Sequence, residues 1–534
     1  MALSVGIDYG TTYSTLCYDS SRSDGCILES GSAYIPTAVL IRRDGTFDIG
    51  SSAINDVVRG GNLYRDVKRW VGCNDKNLPL YVKKLRPSIK VVPSSSTSVL
   101  IGPVSGDRDA VVDVTVLIAL FVKGMAVLCE RATGRPVGRA VCSVPAEYNS
   151  FKRQFVFCAC TALSIGTQAV VNEPTAAAFH AYERARTMGA EYILVYDFGG
   201  GTFDVSLAAI NNKYLAVSAS AGDETLGGRD VDRAITKYIK DTNGIPPEEF
   251  GEFGIEHVKV RASKGMSEHR ITLASSTTPT TVHFSIDDLR KVCEPFVKRA
   301  LNVVVALLRR EKATHVAALL VGGSSTLPGI RESLLNLSQI VSVDIDVSTY
   351  RSAVAIGACK YAVSFSGTER IRLLDTLSHT VSREKRLFGS EPVMSKGHAI
   401  PTIVSTNLVM TDKDAYFTLK EGEYPYSFDN DITYSAMVRL SQFGNGTIKV
   451  IVKVHEDGRL EASVGNVLLE NTQVPYTPKS SDVDLRYVSV LDNKINEGAE
   501  VYKSVARRAL DETQENWDSK GYRADRYSKT LRYD

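Results

Sequence analysis

Val5-Gly-Ile-Asp-Tyr-Gly-Thr-Thr-Tyr-Ser-Thr15 near the start of the chain and Val195-Tyr-Asp-Phe-Gly-Gly-Gly-Thr-Phe-Asp-Val205 in its middle follow one pattern. Each reads as a strand, an aspartate, an aromatic, a glycine-bearing turn and a second strand. Two such copies within one α/β region predict two related halves, each presenting the same turn. Asp8 and Asp197 fall where a strand ends, so each carboxylate leaves the sheet edge instead of entering a core. Gly10 and the run Gly199, Gly200, Gly201 lack a Cβ, which lets backbone N–H groups approach a phosphate. Thr11, Thr12 and Thr202 add hydroxyls. Either motif alone is ordinary turn chemistry. As a matched pair they predict two hairpins facing a polyphosphate, with Asp8 and Asp197 holding Mg2+ through water, as suits a hard ion that binds few carboxylates.

Outward from these turns, short β-branched strands alternate with helical stretches over about the first 365 residues. Strands are predicted at residues 4–7, 140–144, 192–196 and 316–321, and helices at 150–163, 174–186 and 286–310. That alternation specifies an α/β architecture. Near residue 370 the chain becomes rich in Ser, Thr and Val. Residues 447–454 and 459–464, separated by Glu456-Asp-Gly458, read as a β-hairpin, so 376–480 is expected to be an antiparallel β domain. From Asn496 onward, Val501, Val505, Ala506 and Leu510 recur at helical spacing. The organisation expected is therefore 1–365 nucleotide-binding domain, 366–375 linker, 376–480 β domain and 481–534 short helical tail.

Composition narrows the class. With 534 residues, 43% hydrophobic, 23% charged and a net charge of +2, the chain is an ordinary globular protein of several units, without a broad basic face for nucleic acid or membrane. The apolar run 114–122 falls short of the ~20 residues of a membrane span and reads as a buried helix. The N-terminus shows no cleavable signal pattern. Nine irregularly spaced cysteines without a C-x-x-C pair predict reduced thiols in a cytoplasmic protein, and the scattered histidines form no metal centre. No P-loop, no Rossmann G-x-G-x-x-G and no G-x-S-x-G elbow is present, and Asp197-Phe-Gly lacks the H-R-D-x-x-x-x-N of a kinase.

Several further motifs stand in order: Asp66-Val-Lys-Arg69, Val144-Pro-Ala146, Asn172-Glu-Pro-Thr-Ala-Ala-Ala178, Leu226-Gly-Gly228, Val321-Gly-Gly-Ser324 and Leu373-Leu-Asp375. With the two hairpins, they make the chain resemble the seventy-kilodalton heat-shock proteins, which share the actin-like two-lobed ATPase fold. The resemblance covers about residues 3–375 strongly and 376–480 weakly. It implies an ATP hydrolase using ATP and Mg2+. Lys68 is similar to the lysine that orients the attacking water. Asp8, Glu173 and Asp197 match acidic groups around the metal, mainly through its waters; Asp204 matches a further cleft aspartate, and Thr202 a threonine near the γ-phosphate. Gly10, Thr11, Thr12 and Tyr13 correspond to one phosphate hairpin and Gly199, Gly200 and Gly201 to the other. Gly227, Gly228, Lys264, Ser267, Gly322, Gly323 and Ser324 correspond to the nucleoside clamp. Pro145 and Arg153, with linker residues Leu373, Leu374 and Asp375, match the relay between nucleotide state and linker.

The departures direct the rest. Where the family's adenosine contacts read Glu, Lys, Arg and Ser, this chain has Val260, Ser263, Lys264 and Ser267, and Arg351 replaces an acidic position. Behind the β domain, at most about 55 residues remain, too few for a full helical lid. A full ATPase half with a shortened C-terminal half is similar to the heat-shock homologues encoded by closteroviruses. That resemblance implies a cytoplasmic, virion-associated or plasmodesmal protein that supports virion tail assembly and cell-to-cell movement. Its expected partners are viral coat proteins or other virion components and host plasmodesmal or cytoskeletal proteins. A lidless cellular chaperone and a nucleotide-stabilised structural protein are the alternatives.

Overall fold

The computed structural model describes residues 2–488, apart from 20–24, 30–31, 96, 212–213, 224, 251–253, 274, 276–277, 345–349, 366–370 and 385–387. The expected helix beyond Asn496 lies outside these residues. The chain divides into two units. One comprises Met1–Gly189, Ala208–Ala219 and Arg351–Val490; the other comprises Ala190–Leu207 and Ser220–Tyr350.

In the first unit, a five-stranded sheet runs in the order Gly166–Asn172, Val137–Val144, Leu3–Asp8, Tyr13–Cys17, Ile35–Pro36. The first three strands are parallel and buried, which explains their near-continuous apolar content. Register matters for the chemistry: Asp8 lies opposite Ser143, and Val144 opposite Asn172. Asp8 and the start of the helix Glu173–Thr187 thus reach the same, carboxyl end of the sheet, where ligands of open α/β sheets bind. The apolar run read as a buried helix is one, Val114–Thr133, capped by Asp113, whose side chain accepts the Thr115 N–H, and closed by Gly134 at φ 68°.

In the second unit, parallel strands Ile340–Asp344, Val316–Val321 and Tyr192–Phe198 lie side by side, placing Asp197 opposite Val321 and next to Gly322. Helices Gly228–Asn243, Gly254–Ser263 and Ile286–Arg310 belong to this unit.

The β domain, in the first unit, is two four-stranded antiparallel sheets over one core that includes Leu419, Ala436, Val450 and Val452. The linker is not a loose tether there. Leu373, Leu374 and Asp375 lie in a strand, Arg372–Thr376, that pairs in parallel with Tyr214–Ala216 and, at its far end, antiparallel with Ala399–Ile400. Of residues 481–534, expected as a short helical tail, only those up to 488 are described, and they precede the expected helix. Ser480–Asp482 is a single 3-10 turn, and Arg486–Tyr487 is a strand pairing with Thr46–Phe47. Pro475 and Pro478 hold the approach to it extended, because proline lacks an N–H and disfavours a helical residue before it.

The β domain sits on the helix Ser150–Ala162. Glu421, buried, accepts hydrogen bonds from Ser150 N at 3.2 Å and Ser150 Oγ at 2.5 Å; Asn149 Nδ2 donates to Asp431 at 3.0 Å. Burial raises the Glu421 carboxyl above its ordinary range. A carboxyl raised in the folded state costs stability at high pH, and that cost disappears as pH falls through the raised value. Wild type is therefore expected to gain stability relative to Glu421→Gln between pH 7.5 and 5, measured by thermal unfolding at each pH.

Candidate nucleotide site in two hairpins

The first hairpin is locked by its own side chains. Gly10 N donates to Ser14 Oγ at 3.1 Å, Thr37 Oγ1 donates to the Gly10 carbonyl at 2.9 Å, and Thr37 N donates to the Thr12 carbonyl at 2.8 Å. A Cβ at Gly10 would stand 1.9 Å from the Tyr13 carbonyl oxygen, so no other residue fits that turn. Thr12 and Tyr13 are exposed at its tip, with Thr11 half-buried.

Beside it, Lys68, Glu173 and Asp8 form a charged group. Lys68, in the 3-10 turn Val67–Trp70, is buried, and its Nζ donates to Glu173 Oε1 at 2.8 Å. Asp8 Oδ1 accepts a hydrogen bond from Ser143 Oγ at 2.9 Å. Burial, and secondarily Glu173, push the Asp8 carboxyl up to about 6, against the pull of Lys68. Burial alone would lower the Lys68 ammonium; Glu173 and Asp8 more than offset it and hold it above its usual range. The buried Tyr9 hydroxyl has no hydrogen-bond partner among the described residues. A carboxyl pushed up, with no cation among the described residues beyond Lys68 to offset Glu173, fits a site completed by a metal ion and its water.

The second unit builds its hairpin the same way. Gly199 N donates to the Thr202 carbonyl at 3.0 Å. The turn rests on the helix Gly228–Asn243, where Gly228 N donates to the Gly199 carbonyl at 3.0 Å and Arg229 N to that of Gly200 at 2.9 Å. A Cβ on Gly227 would stand 2.5 Å from the Gly201 carbonyl carbon, and one on Gly322, at φ 85°, 2.4 Å from Asp197 Oδ1. Both glycines are required by close approach. By contrast, nothing lies within 4 Å of the Cβ positions of Gly200 and Gly201, which leaves room beside the turn for a phosphate. Ser324 N donates to the Phe198 carbonyl at 2.9 Å, and Asp204 lies against Gly222. Among the described residues no three metal-ligating side chains are gathered ready for an ion. An Mg2+ held mostly by water and phosphate oxygens needs no such set.

The nucleoside-side residues divide. Gly227, Gly228, Gly322 and Ser324 meet; a Cβ on Gly228 would stand 2.4 Å from Ser324 Oγ. Lys264 and Ser267 are exposed in and after the turn that follows the helix Gly254–Ser263. Arg351, in the first unit, lies over the Tyr34 ring at 5.4 Å. The cation that does reach Gly228 is one the motif comparison passes over. Lys259 is buried, with Nζ 2.8 Å from Asp232 Oδ1 and 3.5 Å from the Gly228 carbonyl. Its signal was present: Ile255, Val258, Lys259 and Ala262 share the buried face of one helix, and a lysine there demands a partner.

Of the coupling residues, Pro145 opens the turn closed by Tyr148 N donating to its carbonyl at 3.0 Å. Arg153 is buried; it donates to the Tyr148 carbonyl at 2.9 Å, Asn172 Oδ1 at 2.6 Å and the Asp457 carbonyl at 3.4 Å. Asn172 Nδ2 in turn donates to Asp375 Oδ2 at 2.6 Å, and Thr175 Oγ1 to the same oxygen at 2.9 Å.

A mixed α/β frame with duplicated aspartate–glycine hairpins, followed by a β domain, fits the ATPase fold of the heat-shock proteins. The chain belongs to the Hsp70 family: the family model described as Hsp70 protein matches residues 4–468. It is 36% identical over 475 residues to the movement protein Hsp70h of Grapevine leafroll-associated virus 3 (isolate United States/NY1), covering 85% of each chain. It is 32% identical over 429 residues to the movement protein Hsp70h of Beet yellows virus (isolate Ukraine), covering 77% of this chain and 71% of that one. Against the movement protein Hsp70h of Lettuce infectious yellows virus (isolate United States/92) the identity is 29% over 448 residues, 82% of this chain and 79% of that one. Among the described residues no helix is long and apolar enough to cross a membrane.

Proposed function

We propose that this chain binds ATP with Mg2+ and hydrolyses it to support virion tail assembly and movement of a virus between plant cells. The observation that carries the chemistry is buried Lys68 ion-paired to half-buried Glu173, with Asp8 at the strand end that opens the glycine hairpin. The Lys68 ammonium, held by Glu173, orients a water for attack on the γ-phosphate and offsets the charge that develops there. In the second unit Gly199, Gly200 and Gly201 receive phosphate oxygens, with Thr202 beside them and Asp197 available to a metal's water; in the first unit Asp8 and Glu173 are the groups that hold waters of the metal. Mg2+, when bound, shields the phosphate charge. The name shared by the three relatives, movement protein, supports the biological half of the reading. Coat proteins and host plasmodesmal or cytoskeletal proteins are the partners to seek.

Single-turnover hydrolysis by the purified chain tests the chemistry. Mg2+-dependent release of phosphate is expected; ATP bound in calorimetry but never cleaved overturns hydrolysis and leaves a structural nucleotide. In an infectious clone, Asp197→Ala is expected to stop spread between cells, and unchanged spread removes turnover from the movement role.

Lys259→Met separates binding from chemistry. Losing a charge-assisted contact worth about 1.5 kcal/mol is expected to weaken ATP binding roughly tenfold while leaving the cleavage rate of bound ATP unchanged. Calorimetry beside single-turnover kinetics reads both.

A further inference from the structure

Residues 470–488 leave the β domain and end inside the nucleotide lobe, and both ends are anchored. On the β-domain side, Leu469 N donates to the Ala462 carbonyl at 2.9 Å, Thr472 N to the Ser435 carbonyl at 2.7 Å, and Ser435 N to Asn471 Oδ1 at 3.0 Å. On the lobe side, Arg486 N donates to the Gly45 carbonyl at 3.1 Å and Val488 N to that of Phe47 at 2.9 Å, adding a strand to the sheet of Thr46–Ile49. Lys123 Nζ donates to the carbonyls of Val483 at 2.7 Å and Leu485 at 2.8 Å. Val483 and Tyr487 are buried in the lobe's own core. The Tyr487 ring lies 5.4 Å from that of Phe47, and the Arg131 guanidinium 5.2 Å over its face.

The linker strand Arg372–Thr376 ties the β domain at its start; this strap ties it at its end. We propose that the strap is a fixed tie that keeps the β domain on the nucleotide lobe whatever nucleotide is present. The two then act as one rigid body, and the β domain is not a unit released on its linker. Two observations carry this. The strap cannot coil away as a helix, because Pro475 and Pro478 interrupt it. Its far end is core, so detaching it would expose Val483 and Tyr487 and leave the lysine and two carbonyls without their bonds. A segment anchored by buried side chains opens with the lobe's own stability, whereas a surface tether opens freely.

Trypsin reports on the tie, because Arg372 is exposed at the head of the linker strand and its cleavage needs that strand to leave its partner. In the full-length protein, cleavage after Arg372 is expected at rates within twofold of each other without nucleotide, with ADP and with ATP. Tyr487→Ala combined with Lys123→Met is expected to speed it at least tenfold without nucleotide. Because that variant can fail to fold, a second protein carries a site for a specific protease between Pro475 and Tyr476 and is cut only after folding; the same acceleration is expected. A wild-type rate that rises tenfold on removing ATP overturns the proposal, as does a severed strap that leaves the linker as protected as before. The nucleotide states are compared at concentrations where calorimetry shows nucleotide bound, while the strap variants are compared without nucleotide, so their outcome is separate from whether the chain binds or hydrolyses ATP.

Discussion

Lys68→Ala is expected to bind ATP and fail to cleave it, with single-turnover hydrolysis lower by about 10²–10³-fold. Lys68 is buried and paired to Glu173 at 2.8 Å, and its ammonium is kept charged by Glu173 and Asp8. A donor fixed before the reaction begins costs no reorganisation as charge builds on the phosphate, which is why its loss falls on the rate and not on the ground-state complex. The substitution has a second consequence. Asp8 already sits near 6 through burial and Glu173, with Lys68 pulling the other way. Without the lysine its carboxyl rises further, and at neutral pH a larger share is neutral and unable to hold a metal's water. Binding by the variant is therefore expected to strengthen from pH 7 to pH 8, where the carboxylate returns, while cleavage does not recover. Calorimetry at the two pH values, beside phosphate release, separates the two effects. Cleavage within threefold of wild type would take Lys68 out of the reaction.

The parts of this arrangement that the sequence displays are those set by local pattern. An aspartate at the end of a β-branched run followed by glycine specifies a strand and a tight turn wherever it occurs, so both hairpins could be read directly. Asp8 and Glu173 meet because parallel strands in register end together, and the motif order implied as much. What pattern alone hides is set by partners remote in sequence. Lys259 lies one residue from Val260, a position that motif matching assigned to the nucleoside. Helix geometry turns consecutive side chains to different faces, so the neighbouring lysine, not the matched position, reaches Gly228. The strap is equally hidden, since a strand of two residues, Arg486–Tyr487, exists only because the edge of Thr46–Ile49 offers it hydrogen bonds. The linker had apolar residues enough for a strand, but nothing in Leu373-Leu-Asp375 names Tyr214–Ala216 as its partner.

Arg153→Ala is expected to cost about 3–5 kcal/mol in unfolding free energy, the toll of removing one partner from buried charges. Burial lowers the tendency of this guanidinium to stay protonated, and Asp375, Glu421, Asp457 and Glu147 supply the opposing negative field. Its fork joins three places: the turn after Pro145 through Tyr148, the end of the strand Gly166–Asn172 through Asn172, and the β domain through Asp457. Asn172 passes the contact on to Asp375 in the linker strand, so one arginine braces sheet, linker and β domain together. Arg153→Lys keeps the charge but not the planar fork, and is expected to recover only part of the loss. A cycle with Asp375→Asn distinguishes this relay from two separate contacts. If Arg153 and Asp375 act through Asn172 as one unit, the double variant is less destabilised than the sum of the singles by at least about 1 kcal/mol, since each single strands the other residue's charge and the double strands neither. Additivity within about 0.5 kcal/mol in urea unfolding would mean that Arg153 braces the β domain and Asp375 the linker independently. In that case a change at the nucleotide end could reach one without reaching the other.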